Sequence, residues 1–152
     1  MRRNCEVLKT IALNRTDVNL IYPVHLNPKV QKVVYEVLGG ISNVFLIAPL
    51  SYPDFVWIMY NSYLIITDSG GVQEEAPGLG KPVLVTRETT ERPEAVEAGT
   101  VLLVGTDPKK MKTAILNLLD DTNLYNKMSQ AHNPYGDGKT AQRILKIIKE
   151  RL

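Results

Sequence analysis

Short apolar runs alternate along the chain with longer stretches in which apolar residues recur at helical spacing. The runs are rich in Val, Leu and Ile and are apolar at nearly every position, which is typical of parallel strands covered on both faces. This pattern predicts five strands, at residues 19–22, 44–47, 64–67, 83–85 and 101–104.

The intervening stretches predict amphipathic helices. In one of them Val30, Val33 and Val37 share a face, between an opening proline and a closing pair of glycines. Helices are expected at residues 28–38, 54–61, 71–79, 107–119 and 139–151. The resulting order, αβαβαβαβαβαα, is that of a doubly wound α/β domain with a mainly parallel sheet and helices on both faces. Because ligands of such domains bind beyond the carboxyl ends of the strands, functional residues should follow the strands.

Composition and charge narrow the class of protein. The 152 residues amount to one domain, 44% of them are apolar, and 18 Lys and Arg against 16 Asp and Glu give a net charge of +2. These proportions exclude a disordered chain and a strongly basic nucleic-acid module. The single cysteine, Cys5, excludes an intrachain disulfide framework. No apolar run approaches the roughly 20 residues that span a bilayer, so we expect one domain, residues 1–152, in the cytoplasm.

The segment after the third strand is the first candidate binding site. Ser69, Gly70 and Gly71 separate a strand from a helix. Glycines there let an anion approach the backbone, and the helix N-terminus offers N–H groups to it. A tight turn without any ligand would explain the same residues. Glu74 and Glu75 follow at a distance suited to ribose hydroxyls, although a solvent-exposed helix face would also contain glutamates.

Two charged candidates follow other strands. His25 lies between prolines after the first strand, where a histidine can donate to a phosphate or act as an acid. A purely structural histidine is the alternative. Arg92 precedes a proline at a helix start, where its guanidinium can reach a phosphate or a sugar. A surface ion pair with Glu91 or Glu94 is the alternative for Arg92.

Aromatic and turn residues complete the candidates. Phe55 and Trp57 follow the second strand, where an aromatic ring can face a nucleotide base or simply join the core. Residues 133–138, NPYGDG, have the composition of a turn. No group of His, Cys and carboxylate residues has metal-ligand spacing, so we expect no metal site.

Together these segments resemble one enzyme family. YPVHLNP, APLSYPDFVWIM, LIITDSGGVQEEAPGLGKPVLV, TTERPEAVEAGT, LVGTD and NPYGDGKTAQRI occur in this order over residues 17–150. They resemble the carboxyl-terminal half of the non-hydrolysing UDP-N-acetylglucosamine 2-epimerases. That family interconverts UDP-N-acetylglucosamine and UDP-N-acetylmannosamine in a cleft between two Rossmann-like domains, as in the GT-B fold. The resemblance implies that neither a metal nor a nicotinamide cofactor is needed.

The resemblance also implies a role for seven residues at the UDP site, namely His25, Phe55, Ser69, Gly70, Gly71, Glu75 and Arg92. His25 would take part in catalysis, and the turn at residues 69–71 would hold the diphosphate. Glu75 would accept the ribose hydroxyls. Phe55 would lie beside the uracil, and Arg92 would lie near the phosphates.

The reaction implied by the resemblance eliminates UDP to give a 2-acetamidoglucal and adds it back with inversion at C2. The carboxylates that move the C2 proton belong to the family's amino-terminal domain, which is absent from these residues. We therefore expect the UDP-binding half of the enzyme, inactive alone. Its expected partners are a UDP-sugar and either a separate amino-terminal half or a second copy, with no nucleic acid and no membrane. The alternatives are a non-catalytic UDP-binding module and, more distantly, half of a GT-B glycosyltransferase.

The strand that opens this half in the family is missing as well. It is normally interior to the sheet, and residues 1–4, MRRN, resemble a shortened form of the segment that follows it. Three outcomes are open: the sheet closes over the gap, another chain fills it, or two copies pair through exposed edges.

Overall fold

The fold is an alternation of parallel strands and helices, as the sequence predicts. The structure, a computed structural model, describes residues 1–151. The predicted bounds of strands and helices hold to within two residues. The strands are β1 (Leu20–Pro23), β2 (Val44–Ile47), β3 (Ile65–Thr67), β4 (Val83–Val85) and β5 (Val101–Leu103). The helices are α1 (Arg2–Asn14), α2 (Pro28–Leu38), α3 (Tyr52–Asn61), α4 (Gly70–Gly78), α5 (Pro93–Glu97), α6 (Pro108–Asp120), α7 (Thr122–Ser129) and α8 (Thr140–Arg151).

Polar caps define where several helices begin. The side chain of Asn27 accepts a hydrogen bond from the backbone of Lys29 at the start of α2, and Asp107 caps α6 in the same way. Asp121 ends α6 and caps the next helix by accepting from the backbone N–H groups of Asn123 and Leu124. Asp121 thereby begins α7 as its N-cap residue. The predicted order of elements lacked this helix.

The strands form two separate parallel sheets. One contains β1 and β2, and the other has the order β3-β4-β5. Within residues 1–151, no backbone hydrogen bond joins β1 to β3. Of the three outcomes expected for the missing strand, closure of the sheet over the gap is therefore wrong.

Helix α1 holds the two sheets together. Val7 and Ile11 belong to an apolar cluster under the three-stranded sheet, while Cys5 belongs to a cluster under the two-stranded sheet. Leu8 packs against both clusters. Cys5 is 2% exposed and its burial raises the pKa of the thiol, which fits a structural residue better than a nucleophile.

The two sheets differ in how they are covered. The three-stranded sheet has α1 and α6 on one face, and α3, α4 and α5 on the other. The two-stranded sheet is covered by α1 and α2 on one face, and Ile21 and Phe45 are exposed on its other face. Helix α8 likewise buries none of its residues, so its row of Ile and Leu side chains stays in solvent. Over residues 1–151, no helix is both long enough and apolar enough to cross a membrane.

The carboxyl end of α1 is fixed by one side chain. The amide nitrogen of Asn43 donates to the backbone oxygens of Ala12, Arg15 and Val18, at 3.0, 3.2 and 2.8 Å. Asn43→Ala should therefore lower the free energy of unfolding by about 1–3 kcal/mol, because carbonyls at the end of a packed helix lose their donor. Urea denaturation measures this change.

A second asparagine gives a matched control. The amide of the exposed residue Asn61 donates to the oxygen of Trp57, one turn earlier in the same helix. Asn61→Ala should change the free energy of unfolding by less than about 0.5 kcal/mol. Equal losses in the two variants would show that Asn43 does not have this tethering role.

Candidate functional site

The candidate site lies at the edge of the sheets where the strands end. His25 follows β1, Ser69 follows β3, and the loop that contains Arg92 follows β4. The strands are parallel within each sheet, so their carboxyl ends share one edge of that sheet. The predicted residues are therefore placed where ligands of α/β domains bind.

The turn between β3 and α4 presents a helix N-terminus. Ser69 is the N-cap residue, but its side chain makes no capping hydrogen bond. Its backbone N–H donates instead to the hydroxyl of Thr67, at 3.0 Å. A helix cap by the Ser69 hydroxyl, which the sequence position of Ser69 before α4 would favour, is therefore not formed. The hydroxyl and the first N–H groups of α4 can serve an anion.

The two glycines of this turn are not required by the fold of the chain. Neither Gly70 nor Gly71 has a positive φ. A Cβ atom on Gly70 would come no closer than 3.9 Å to a neighbouring atom, an oxygen of Glu91. On Gly71 it would lie 3.9 Å from Glu75 Oε1 and Ser69 Oγ, which is ordinary contact. Neither the backbone conformation nor the packing of this turn therefore requires glycine at residues 70 and 71.

A buried glutamine joins this turn to the loop after β4. Gln73 is fully buried, its Nε2 donates to the oxygen of Ser69 at 3.1 Å, and its Oε1 accepts from the Thr90 hydroxyl at 2.5 Å. The same hydroxyl accepts from the backbone N–H of Arg92, at 3.0 Å. Sequence reasoning gave Gln73 no role, because a glutamine one turn into a helix resembles a surface residue. Its partner Thr90 lies 17 residues away in sequence and offers no local signal.

Arg92 forms an ion pair with Glu74, a residue of helix α4. Its Nε donates to the carboxylate of Glu74, and its Nη1 donates to the backbone oxygen of Glu91 at 3.0 Å. The hydrogen bond to Glu74 holds the pKa of Arg92 above its usual value, so the guanidinium stays charged. The structure thus shows an ion pair for Arg92, as the alternative expected, but its partner is Glu74 and not the carboxylate of Glu91 or Glu94. Glu91 pairs with Arg87 instead.

Glu75 faces the glycine turn and is oriented by an aromatic residue. The hydroxyl of Tyr52 donates to Glu75 Oε2 at 3.0 Å, and this bond raises the pKa of Tyr52. Phe55 lies in the same first turn of α3, half-buried against the core of the three-stranded sheet. Trp57 is 67% exposed and does not belong to the core. Tyr52 was missed because its role depends on a contact across 23 residues.

His25 is exposed at the end of β1. Its Nδ1 accepts a hydrogen bond from the backbone N–H of Asn27, at 3.1 Å. An accepting Nδ1 places the proton of the neutral ring on Nε2, which leaves Nε2 as a donor. His25 shares no hydrogen bond with Ser69, Glu75 or Arg92 in the described part of the chain.

The loops after β4 and β5 are locked to each other. Glu88 accepts from the backbone N–H and the hydroxyl of Thr106, both at 2.8 Å, and these bonds lower the pKa of Glu88. Gly105 has a φ of +64°, and a Cβ there would lie 2.7 Å from Glu88. The glycine of the LVGTD segment is therefore required by the fold, in contrast to the pair at residues 70–71.

The turn at residues 133–138 packs beside this edge. Tyr135 contacts the core of the three-stranded sheet, and burial raises its pKa, with smaller contributions from Glu94 and Glu74. No group of three or more His, Cys, Asp and Glu side chains within residues 1–151 has the geometry to hold a metal ion.

Comparison with known proteins agrees with this arrangement. The family profile described as UDP-N-acetylglucosamine 2-epimerase matches residues 1–149. A UDP-N-acetylglucosamine 2-epimerase of Campylobacter jejuni is 58% identical over 144 residues, which cover 95% of this chain and 38% of the relative. The chain thus spans about two fifths of the length of the curated relatives that it matches.

Solved structures show the same likeness in three dimensions. A Listeria monocytogenes protein, described as an epimerase of this kind, superposes with a TM-score of 0.96 at 50% identity, over 99% of this chain and 41% of that one. A Neisseria meningitidis UDP-GlcNAc 2-epimerase bound to UDP-GlcNAc superposes with a TM-score of 0.92 at 41% identity. The matched region covers 99% of this chain and 41% of the Neisseria protein. With a family profile matching almost the whole length and relatives that share its fold, this chain belongs to the UDP-N-acetylglucosamine 2-epimerase family.

Proposed function

We propose that this chain is the UDP-binding half of a UDP-N-acetylglucosamine 2-epimerase, with the diphosphate at the start of α4. The observation that carries the proposal is the pair Gly70 and Gly71, which neither backbone conformation nor packing demands. Space at a helix N-terminus suits a phosphate group, because N–H groups and the helix dipole both favour negative charge. The Ser69 hydroxyl adds a donor to the same place.

Glu75 and Phe55 would hold the nucleoside. Glu75 Oε1 faces Gly71 while Oε2 is held by Tyr52, so one carboxylate oxygen is directed toward the diphosphate end of a ligand. A carboxylate is well suited to accept hydrogen bonds from the two hydroxyl groups of a ribose. Phe55 lies about one turn of helix from Tyr52 and is only half-buried, and an aromatic ring there could stack on uracil.

Arg92 and His25 would act on the phosphates. Arg92 is charged and is anchored by Glu74, which orients its guanidinium at the start of α5. His25 offers Nε2 as a donor from the end of β1. In the epimerase reaction UDP leaves and returns, so groups that stabilise free UDP also favour the elimination step. This reasoning supports a catalytic role for His25 and a binding role for Arg92.

The proposal leaves the proton transfers at C2 to another polypeptide segment. The cleft of the family lies between two domains, and this chain covers 38% of the Campylobacter relative. An amino-terminal half or a second copy of the chain is the proposed partner. A location in the cytoplasm also stays a prediction. A non-catalytic UDP-binding module would use the same residues, and the activity measurement below distinguishes it.

The first prediction from the proposed function concerns Gly71. Gly71→Ala should leave thermal stability unchanged or slightly higher, because the new methyl meets only ordinary contacts. The same methyl would lie where the diphosphate approaches the backbone, so the affinity for UDP should fall at least about tenfold, or about 1.4 kcal/mol. Calorimetric titration with UDP and a thermal melt measure the two effects.

Thr113→Ala on the exposed side of α6 is the control for Gly71→Ala and should change neither quantity. The proposal fails if the unmodified chain shows neither heat nor a thermal shift with UDP up to about 1 mM, the concentration range of weak ligands. It also fails if Gly71→Ala binds UDP as well as the unmodified chain does.

The second prediction concerns Gln73, whose side chain positions the Ser69 turn against Thr90. Gln73→Leu removes both hydrogen bonds and should weaken UDP binding about tenfold, besides costing about 1–3 kcal/mol of stability. Thr100→Val is the matched control, since Thr100 is the other buried polar residue in the described chain and its hydroxyl donates only to the oxygen of Ala95. It should lose stability and keep its UDP affinity. Equal UDP affinity in all three proteins would contradict a positioning role for Gln73.

The third prediction concerns activity. The chain by itself should bind UDP and form no UDP-N-acetylmannosamine from UDP-N-acetylglucosamine, because it lacks the acid and base for C2. Proton NMR of the anomeric signals follows the two sugars directly. Steady turnover by the isolated chain would contradict the proposal that the C2 proton is transferred by groups of another polypeptide segment. Activity that appears only with the amino-terminal half would exclude the non-catalytic module.

A further inference from the structure

The loop that contains Arg92 lies between two other loops at the same edge of the sheet. This loop, residues 86–92 and named the Arg92 loop below, follows the central strand of the order β3-β4-β5. Because these strands are parallel, the turn after β3 flanks the Arg92 loop on one side and the turn after β5 flanks it on the other. Side chains of the Arg92 loop can therefore bond to either neighbour.

The Arg92 loop is hydrogen-bonded on both sides. Toward α4, the Thr90 hydroxyl donates to Gln73 Oε1 at 2.5 Å and accepts from the backbone N–H of Arg92 at 3.0 Å. Toward the turn after β5, the carboxylate of Glu88 accepts from the backbone N–H and the hydroxyl of Thr106, both at 2.8 Å. Glu88 and Thr90 thus hold neighbouring parts of one loop from opposite sides.

The start of the Arg92 loop is fixed to the sheet without Glu88. The backbone N–H of Thr86 donates to the oxygen of Thr67, and that of Val104 donates to the oxygen of Val85, both at 2.9 Å. Glu88 itself is exposed. Its two hydrogen bonds therefore fix the outer part of the Arg92 loop, beyond the strands, rather than the core of the sheet.

The turn after β5 is shaped to receive this carboxylate. Gly105 has a φ of +64°, and a Cβ atom there would lie 2.7 Å from the Glu88 oxygens, so the carboxylate rests against bare backbone. The two donors of Thr106 lower the pKa of Glu88, which keeps the side chain ionised. Hydrogen bonds to an ionised acceptor are roughly twice as strong as neutral ones. Gly105 and Thr106 of the LVGTD segment thus form a binding site for one carboxylate of the chain itself.

We infer that Glu88 is a positioning residue for UDP, because its bonds to Thr106 hold the Arg92 loop where Arg92 reaches the phosphates. The inference rests on the binding role proposed above for Arg92. Without Glu88, the part of the loop beyond Thr86 is hydrogen-bonded to α4 alone among the described residues. Arg92 then samples more positions, and ordering it costs affinity each time UDP binds. Glu88 acts through Arg92 and does not contact UDP.

A double-mutant cycle tests whether Glu88 acts through Arg92. Calorimetric titration gives the UDP affinity of the unmodified chain, Glu88→Ala, Arg92→Ala and the double variant. Glu88→Ala should weaken binding about five- to tenfold, and Arg92→Ala at least about tenfold. The double variant should bind within about twofold of Arg92→Ala, because an absent guanidinium needs no positioning. Losses that multiply in the double variant, or unchanged affinity in Glu88→Ala, overturn the inference.

A milder pair of variants and a matched control accompany the cycle. Thr106→Val removes one of the two bonds to Glu88 and should weaken UDP binding about two- to threefold, whereas Thr106→Ser keeps the hydroxyl and should bind normally. This pair decides the question if Glu88→Ala does not fold. Asp121 likewise accepts two hydrogen bonds, from Asn123 and Leu124, at the far end of α6. Asp121→Ala should lose thermal stability and keep its UDP affinity; an affinity loss as large as that of Glu88→Ala would refute a specific role for Glu88.

Hydrogen exchange of the Arg92 amide separates this inference from the proposed function, because it needs no ligand. Glu88→Ala should speed exchange of that amide at least about fivefold, as its bond to Thr90 opens more often. The amide of Val104, bonded within the sheet, should change much less. Unchanged exchange at Arg92 contradicts the inference even if the chain binds UDP. If the unmodified chain binds no UDP, the proposed function fails, and the role of Glu88 toward UDP fails with it.

Discussion

The packing of α1 against both sheets is the contact on which the rest of the molecule depends. Strands β1 and β3 share no hydrogen bonds, so nothing in the backbone ladder sets the position of one sheet relative to the other. The contacts of Val7 and Ile11 on one side and of Cys5 on the other do so instead. This has a direct consequence for the site, because His25 follows the two-stranded sheet and Ser69 follows the three-stranded one.

Electrostatics at the glycine turn depend on pairing. Several carboxylates surround a helix start that is suited to an anion, and left alone they would repel a diphosphate. Glu74 is paired with Arg92, Glu91 is paired with Arg87, and Glu75 is hydrogen-bonded to Tyr52. The two arginines compensate the charges of Glu74 and Glu91, while the neutral Tyr52 hydroxyl positions Glu75 and leaves its charge in place. Arg92 therefore compensates the charge of Glu74 and, by the same ion pair, joins the loop after β4 to α4.

The sequence predicted those parts of the structure that local pattern determines. Strands that are apolar on both faces, proline and asparagine at helix starts, and the glycine turn at residues 69–71 all follow from neighbouring residues. The parts that it missed depend on contacts between distant segments. Gln73 is a helix residue of ordinary polarity whose burial follows from the approach of Thr90, and Arg92 finds Glu74 across 18 residues. Likewise, the periodicity of α8 predicts an amphipathic helix correctly but cannot say whether its apolar face is covered.

The uncovered apolar surface and the candidate site are made by different residues. Ile21 and Phe45 leave one face of the two-stranded sheet bare, and α8 keeps its row of Ile and Leu side chains exposed. Exposed apolar patches cost solubility and stability, so these faces favour contact with a neighbouring surface. The residues proposed to bind UDP lie instead beyond the carboxyl ends of strands, with the turn at residues 69–71 and Glu75 after β3 and His25 after β1. Binding of a nucleotide and burial of the apolar faces are therefore separate requirements on the same chain.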